Sequence, residues 1–278
     1  MSTTGFPVTA VDCHAHVFRR ADAVAGRDYT PTVDAAVETY LQHLDVHGFS
    51  HGVLAQVSFL GEDHGVLIDA LRRHPARLRG IAAVGPDTAP HVVDELAEAG
   101  VVGTRLNLIT HSAAGLPDLR SARWRRFLRD LADRDWHVQV HRHGEDLPGL
   151  LEALLEQGLR VVVDHFGRPD PAVGTADPAF KRLLDFGATR RVWVKLSAAY
   201  RCDTTLPGDG FADAAVPLLL DAYGPDRLLW GSDWPHTRFQ HDPRVNYDVV
   251  AARIPEWLPD HGTRDAVLRT TPAALVRL

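Results

Sequence analysis

Eight short apolar runs, each followed by a stretch with helical periodicity, limit most strongly what this chain of 278 residues can fold into. The strand-like runs are Thr9–His14, Gly52–Val57, Leu78–Val84, Val101–Leu108, Trp136–His141, Arg160–His165, Val192–Leu196 and Arg227–Gly231. Several are nearly continuous in apolar residues, such as Val161-Val162-Val163, which suits strands covered on both faces of a parallel sheet. Between them, Val33–His47 places Val33, Val37, Tyr40, Leu41 and Leu44 on one helical stripe. Ser121–Arg134 does the same with Trp124, Phe127, Leu128 and Leu131. Asp177–Phe186, with Pro178 just inside its start, reads as a capped helix, and Gly48 and Gly100 suit helix C-caps. Eight such units predict an α/β fold, a (β/α)8 TIM barrel forming a single domain over residues 1–278. The competing doubly wound sheet would carry G-x-G-x-x-G after its first strand, and none follows here.

Unusual polar residues gather at the C-terminal ends of these runs. The first ends in Asp12-Cys13-His14-Ala15-His16, the second in Gln56-Val57-Ser58 and the fourth in Arg105-Leu106-Asn107. The fifth ends in His141-Arg142-His143, the sixth in Asp164-His165, and the seventh in Lys195-Leu196-Ser197 with Arg201 beyond. The eighth runs into Ser232-Asp233-Trp234-Pro235-His236. In a barrel these ends converge on one face, where the active site belongs. His14 and His16, two apart on a strand, point to the same side. With His165 and Asp233 they either hold one divalent metal or line a polar pocket. Asp233 is a candidate metal ligand or a general base on water. Arg105 and Arg201 suit a substrate carboxylate, because a planar guanidinium pairs with it in two-point fashion. Ser58 and His141 are further candidate substrate contacts, with His236, Arg142 and His143 weaker ones because alternation points some of them away from the mouth. Lys195 reads as modified, metal-adjacent or salt-bridged. His43, His47, His51, His64, His74 and His91 fall on helix-like or loop stretches and read as surface residues.

Composition excludes some classes of function. Net charge is −6, from 30 basic and 36 acidic residues with no basic block, so neither nucleic acid nor an acidic membrane surface is an expected partner. No run approaches the ~20 apolar residues of a membrane span. The N-terminus lacks the charged and apolar regions of a signal peptide. Cys13 and Cys202 are the only cysteines, too few for a disulfide framework, and a cytoplasmic protein with two reduced thiols is expected. Lys181 and Lys195 are the only lysines among the 30 basic residues, so an arginine is not by itself the sign of an anion site.

Three segments carry a family resemblance. V-D-C-H-A-H-V-F at 11–18, V-D-H-F-G-R-P-D at 163–170 and L-L-W-G-S-D-W-P-H at 228–236 resemble the amidohydrolase superfamily. More closely, they are similar to its branch of 2-pyrone-4,6-dicarboxylate hydrolases and sugar lactonases. The resemblance spans nearly the whole chain and implies a distorted barrel that hydrolyses a cyclic ester of a small carboxylated molecule. By the same resemblance Asp233 is the base, and His14, His16 and His165 polarise the lactone carbonyl or hold a metal. Ser58, Arg105 and Arg201 match positions that grip substrate carboxylates. Branch members work without metal, so no cofactor is expected, with one zinc ion as the alternative. Two contacts depart from the pattern: His141 stands where the dicarboxylate hydrolases have a tyrosine, and His111 is the nearest match to a further arginine. A zinc-dependent decarboxylase or other hydrolase of the superfamily, and a silent binder of carboxylated ligands, are the alternative readings.

Overall fold

The computed structural model describes residues 6–25 and 29–278. The first five residues of the N-terminal stretch read for a targeting signal lie outside the described residues. All eight expected strands form: β1 Val11–Ala15, β2 His51–Ala55, β3 Leu78–Ala82, β4 Val101–Asn107, β5 His137–His141, β6 Val161–Val163, β7 Val192–Ser197 and β8 Leu228–Gly231. They join in sequence order in one parallel sheet. Helices α1 Val37–Val46, α2 Gly65–Arg73, α3 Pro90–Ala99, α4 Ala122–Asp133, α5 Leu147–Glu156, α6 Pro178–Asp185 and α7 Asp209–Tyr223 follow the first seven strands in turn. The Asp177 side chain accepts from the Ala179 amide and starts α6 as the sequence implies. Gly100 ends α3 with φ +107°, a left-handed conformation that glycine adopts without a Cβ penalty.

The sheet closes by a bridge between Ala15 and Trp234. The Asp233 amide donates to the His14 carbonyl at 2.8 Å, and the His16 amide to the Trp234 carbonyl at 2.8 Å. Gly231 permits this approach, since a Cβ there would lie 2.6 Å from the Cβ of His14. The buried Asp12 carboxylate fastens the seam by accepting from the Ser232 amide (2.9 Å), the Ser232 hydroxyl (2.6 Å) and the Tyr247 hydroxyl (3.2 Å).

Strand alternation sorts the residues into two cores. Val138, Val140, Val161, Val163, Val192, Val194 and Leu196 face the helices in the main core. Val53, Ile81, Val102, Val162, Trp193 and Leu229 fill the lower barrel, where Leu275 and Val276 of the C-terminal helix join them. Above this apolar plug the inward positions turn polar, which places a hydrophilic chamber at the C-terminal mouth. Cys13 and Cys202 are both buried and unpaired. Among the described residues no helix is long and apolar enough to cross a membrane.

Candidate active site

The polar layer is organised around two buried carboxylates. Asp164, just beyond β6, accepts at Oδ2 from Arg105 Nε (2.9 Å) and Gln139 Nε2 (3.0 Å). Its Oδ1 lies 3.3 Å from His14 Nδ1 and 3.4 Å from Lys195 Nζ. Burial works to raise the Asp164 pKa, but Lys195, His14 and Arg105 together hold it well below the usual carboxylate value. Lys195 in turn donates to Gln139 Oε1 at 2.7 Å and sits 3.0 Å from His14 Nδ1. It is therefore salt-bridged and buried inside the barrel.

Asp233, at the mouth of β8, divides its two oxygens between different tasks. Oδ2 is occupied by the Tyr200 hydroxyl (2.5 Å) and by Arg201 Nε (3.0 Å) and Nη2 (2.9 Å). Oδ1 faces imidazoles: His14 Nε2 and His16 Nε2 at 3.5 Å each, and His165 Nε2 at 3.8 Å. Burial again works to raise this carboxyl, yet Arg201, then His165, His16 and His14, keep it well below the ordinary range. The same neighbours push the other way on their partners: Arg201 is raised above its usual value by Asp233 and Tyr200 in spite of burial.

His14, His165 and His141 are held neutral at physiological pH. Burial, followed by Lys195, lowers His14 to about 3. Burial also takes His165 and His141 well below their usual value, with Arg105 adding to the effect on His141. His16 Nδ1 lies 2.7 Å from the Ala55 carbonyl and must donate to it. His165 Nδ1 is held by the Ser197 hydroxyl at 2.8 Å. Backbone strain concentrates here as well: residues His165, Phe166 and Arg168 have φ between +50° and +55°, and Asp233 has φ +62°. Left-handed non-glycine residues cost on the order of 1–3 kcal/mol each and cluster where geometry serves function. This left-handed turn directs His165 and Arg168 to the same cavity.

That cavity has a volume of about 230 Å³, room for a small molecule and not for a polymer. Ser58, Arg105, His141, Arg201, His16, His165 and Asp233 all stand on its wall. His14 forms the floor beneath them, fully buried. His236 lies behind the wall instead, with Nδ1 3.3 Å from the Tyr200 hydroxyl, because its position past the Asp233 turn aims it away from the opening. Arg142 is structural, tied to Asp146 and to the Leu108 and His111 carbonyls, while His143 and His111 are exposed. Ile109 and Thr110, not His111, supply the wall after β4.

Three site residues escaped the sequence reading, Gln139 below the cavity, Tyr200 on Asp233 and Arg168 on the wall, while Asp164, noted there only as a polar strand end, proves to be the hub that Gln139 joins. The inward-facing alternation His137-Gln139-His141 was the available signal for Gln139. Among the six histidines read as surface residues, His91 is exposed, but His51 and His64 are buried. His51 opens β2, one residue earlier than the apolar run suggested. His64 Nε2 accepts from the Ala83 amide at 3.1 Å, a tertiary bond with no local sequence sign.

His14, His16 and Asp233 offer ligand atoms within 4.8 Å of one another, and so do His14, Asp164 and His165; His165 Nε2 also lies 3.8 Å from Asp233 Oδ1.

A parallel eight-stranded barrel with an H-x-H pair on its first strand, a histidine after the sixth and an aspartate after the eighth defines a hydrolase of the amidohydrolase type. The amidohydrolase family model matches residues 11–278, and the chain belongs to that family. A 4-sulfomuconolactone hydrolase of Rhizobium radiobacter is 32% identical over 275 residues, covering 97% of this chain and 90% of its own. A 2-pyrone-4,6-dicarboxylate hydrolase of Comamonas testosteroni is 30% identical over 283 residues, with 97% and 90% covered. The crystal structure of a Pseudomonas putida protein assigned as a 2-pyrone-4,6-dicarboxylic acid hydrolase superposes with a TM-score of 0.89 at 41% identity, covering 98% of each chain.

Proposed function

We propose that this protein is a lactonase that opens the cyclic ester of a small anionic molecule with a water activated by Asp233. The observation that carries the reading is the division of Asp233: three donor contacts at 2.5–3.0 Å immobilise Oδ2, while the nearest nitrogens to Oδ1, on His14, His16 and His165, stand back at 3.5–3.8 Å. A carboxylate fixed in this way presents one lone pair to a water in the cavity. Around the same cavity stand Arg105, Arg168 and Arg201, which suits a substrate with acidic substituents. The relatives that hydrolyse a sulfonated or a dicarboxylated lactone support that substrate class.

In the proposed reaction the guanidinium groups pair with the acidic substituents and set the lactone carbonyl over Asp233. Oδ1 takes a proton from water as the water oxygen bonds to the carbonyl carbon. The oxyanion forms among the arginines, whose fixed charges stabilise it without rearrangement. When the ring C–O bond breaks, Asp233 returns the proton to the departing oxygen. The new carboxylic acid then ionises, so each turnover releases one proton at neutral pH. An anionic substrate also offsets part of the positive charge that depresses Asp233, which makes the bound enzyme's base stronger than that of the free enzyme.

The account predicts an unusual pH profile. A base must be deprotonated to act, and a lowered pKa moves its loss to lower pH. With Asp233 held well below the carboxylate range and His14 at about 3, kcat/KM is expected to stay level from about pH 8 down to about pH 5. An acid limb centred between about pH 6 and 7 would instead place a histidine in the base's role.

Metal chemistry has to be tested against the donor set. The His14, His16 and Asp233 atoms lie 3.2–3.5 Å apart, close to the edge of about 3.3–3.4 Å in a tetrahedral zinc site. The spacing suits one divalent cation; the hydrogen-bond directions around His14 do not. The hydrolysis described above runs on the chain's own residues. The test of function is proton release from a panel holding 2-pyrone-4,6-dicarboxylate, a sulfonated muconolactone, and sugar-acid 1,4- and 1,5-lactones. Turnover of an anionic lactone is expected, and a panel without turnover would remove the proposal.

A further inference from the structure

A buried lysine on β7 has no part in the hydrolysis described above, yet it touches the first-strand histidine from below. Lys195 Nζ lies 2.7 Å from Gln139 Oε1 and 3.0 Å from His14 Nδ1. The directions of these bonds follow from their ends. Asp164 is acceptor-only, so the Gln139 NH₂ group must face it, at 3.0 Å from Oδ2. That leaves the Gln139 carbonyl toward Lys195, and the lysine donates to it. An ammonium group has no lone pair, so at His14 it donates again, and Nδ1 is the acceptor. A neutral imidazole with Nδ1 accepting carries its proton on Nε2.

The far end of the chain agrees. His16 Nδ1 must donate to the Ala55 carbonyl at 2.7 Å, which leaves His16 Nε2 with a lone pair. His14 Nε2 lies 3.2 Å from it, and two facing lone pairs at that distance would repel. A proton on His14 Nε2 resolves the contact. The directed chain therefore runs Lys195 to His14 to His16 to Ala55. Asp164 Oδ1 faces His14 Nδ1 at 3.3 Å and Lys195 Nζ at 3.4 Å as an ion-pair partner, but neither contact has hydrogen-bond geometry, and the shorter approach to His14 Nδ1 is the lysine's at 3.0 Å.

We propose that Lys195 is a positioning residue that fixes the His14 tautomer and thereby closes the His14, His16 and Asp233 triad to divalent metal. A ligating imidazole needs its lone pair toward the ion and its proton on the other nitrogen, given to a neighbouring acceptor. His14 has the reverse arrangement. The missing acceptor is already in place as Asp164 Oδ1, 3.3 Å from His14 Nδ1, and Lys195 is what keeps His14 from using it. The inference concerns the same site as the proposed hydrolysis but does not depend on the lactone being the substrate.

The test has two independent readouts. In ¹⁵N-histidine NMR of the whole protein, with His14→Gln assigning the signal, His14 is expected to show a protonated Nε2 and a bare Nδ1. In cobalt(II) titrations followed by visible absorption, Lys195→Met is expected to bind on the order of tenfold more tightly than the unmodified protein, with the intense band of a tetrahedral site. A proton on Nδ1 of His14 in the unmodified protein would overturn the proposal. Equal cobalt affinity in the two proteins would overturn it as well. Should Lys195→Met fail to fold by circular dichroism, the NMR result on the unmodified protein decides alone.

Discussion

Asp233→Asn is expected to lower kcat by about 10³-fold, within the 10²–10⁴ contribution of a positioned general base, with KM nearly unchanged. The substitution is close to isosteric, and its effect separates the two oxygens. An asparagine oxygen in place of Oδ2 still accepts from Tyr200 and Arg201, so the turn at the mouth of β8 keeps its anchor. The NH₂ group that replaces Oδ1 faces the imidazoles and carries no basic lone pair toward a water. Substrate is gripped by the arginines on the wall, so binding is left largely intact. Steady-state kinetics on the best lactone would measure this, and more than about a tenth of the original kcat surviving would contradict the assignment of the base.

Arg105→Met and Arg168→Met are expected to differ in kind, though both remove a cation from the same wall. Arg105 is buried and tied to Asp164 at 2.9 Å and to His141 at 3.0 Å. Breaking a buried ion pair by deleting one partner costs about 3–5 kcal/mol. The low end applies here, because Gln139 and Lys195 still face Asp164. Arg105→Met is therefore expected to lose about 3 kcal/mol of stability as well as activity. Arg168 makes no side-chain hydrogen bond or ion pair among the described residues, and burial lowers its pKa. Its partial desolvation is uncompensated until an anion arrives. Arg168→Met is expected to leave the Tm unchanged or slightly higher while kcat/KM falls about 10- to 100-fold, the loss of charged hydrogen bonds worth about 1.5–3 kcal/mol. Thermal melts with and without substrate, beside steady-state kinetics, would separate the two; a Tm loss in Arg168→Met as large as in Arg105→Met would contradict the division.

The barrel was readable because its strands are buried on both faces and announce themselves as apolar runs, with β6 as Val161-Val162-Val163. The cavity wall was readable for a related reason. A charged or imidazole group at the end of an apolar strand has few bland explanations, so Arg105, His141, His165 and Asp233 stood out and all reach the cavity. What stayed hidden depends on direction and partner more than on residue type. Asp164 precedes His165 in the same motif, and nothing local says that it gathers Arg105, Gln139, His14 and Lys195. His236 follows Asp233 by three residues, and the intervening turn carries it behind the wall to Tyr200. Arg168 reaches the cavity only because four successive residues, 165–168, take positive φ, and a strand-end pattern cannot anticipate a left-handed turn.

Oxygen transfer from solvent tests the central claim most directly. A single turnover of the best lactone in H₂¹⁸O, read by mass spectrometry, is predicted to place one ¹⁸O in the newly formed carboxylate and none in the released alcohol or enol oxygen. An unlabelled product isomeric with the substrate, or label in the released oxygen, would contradict attack on the lactone carbonyl by an Asp233-activated water.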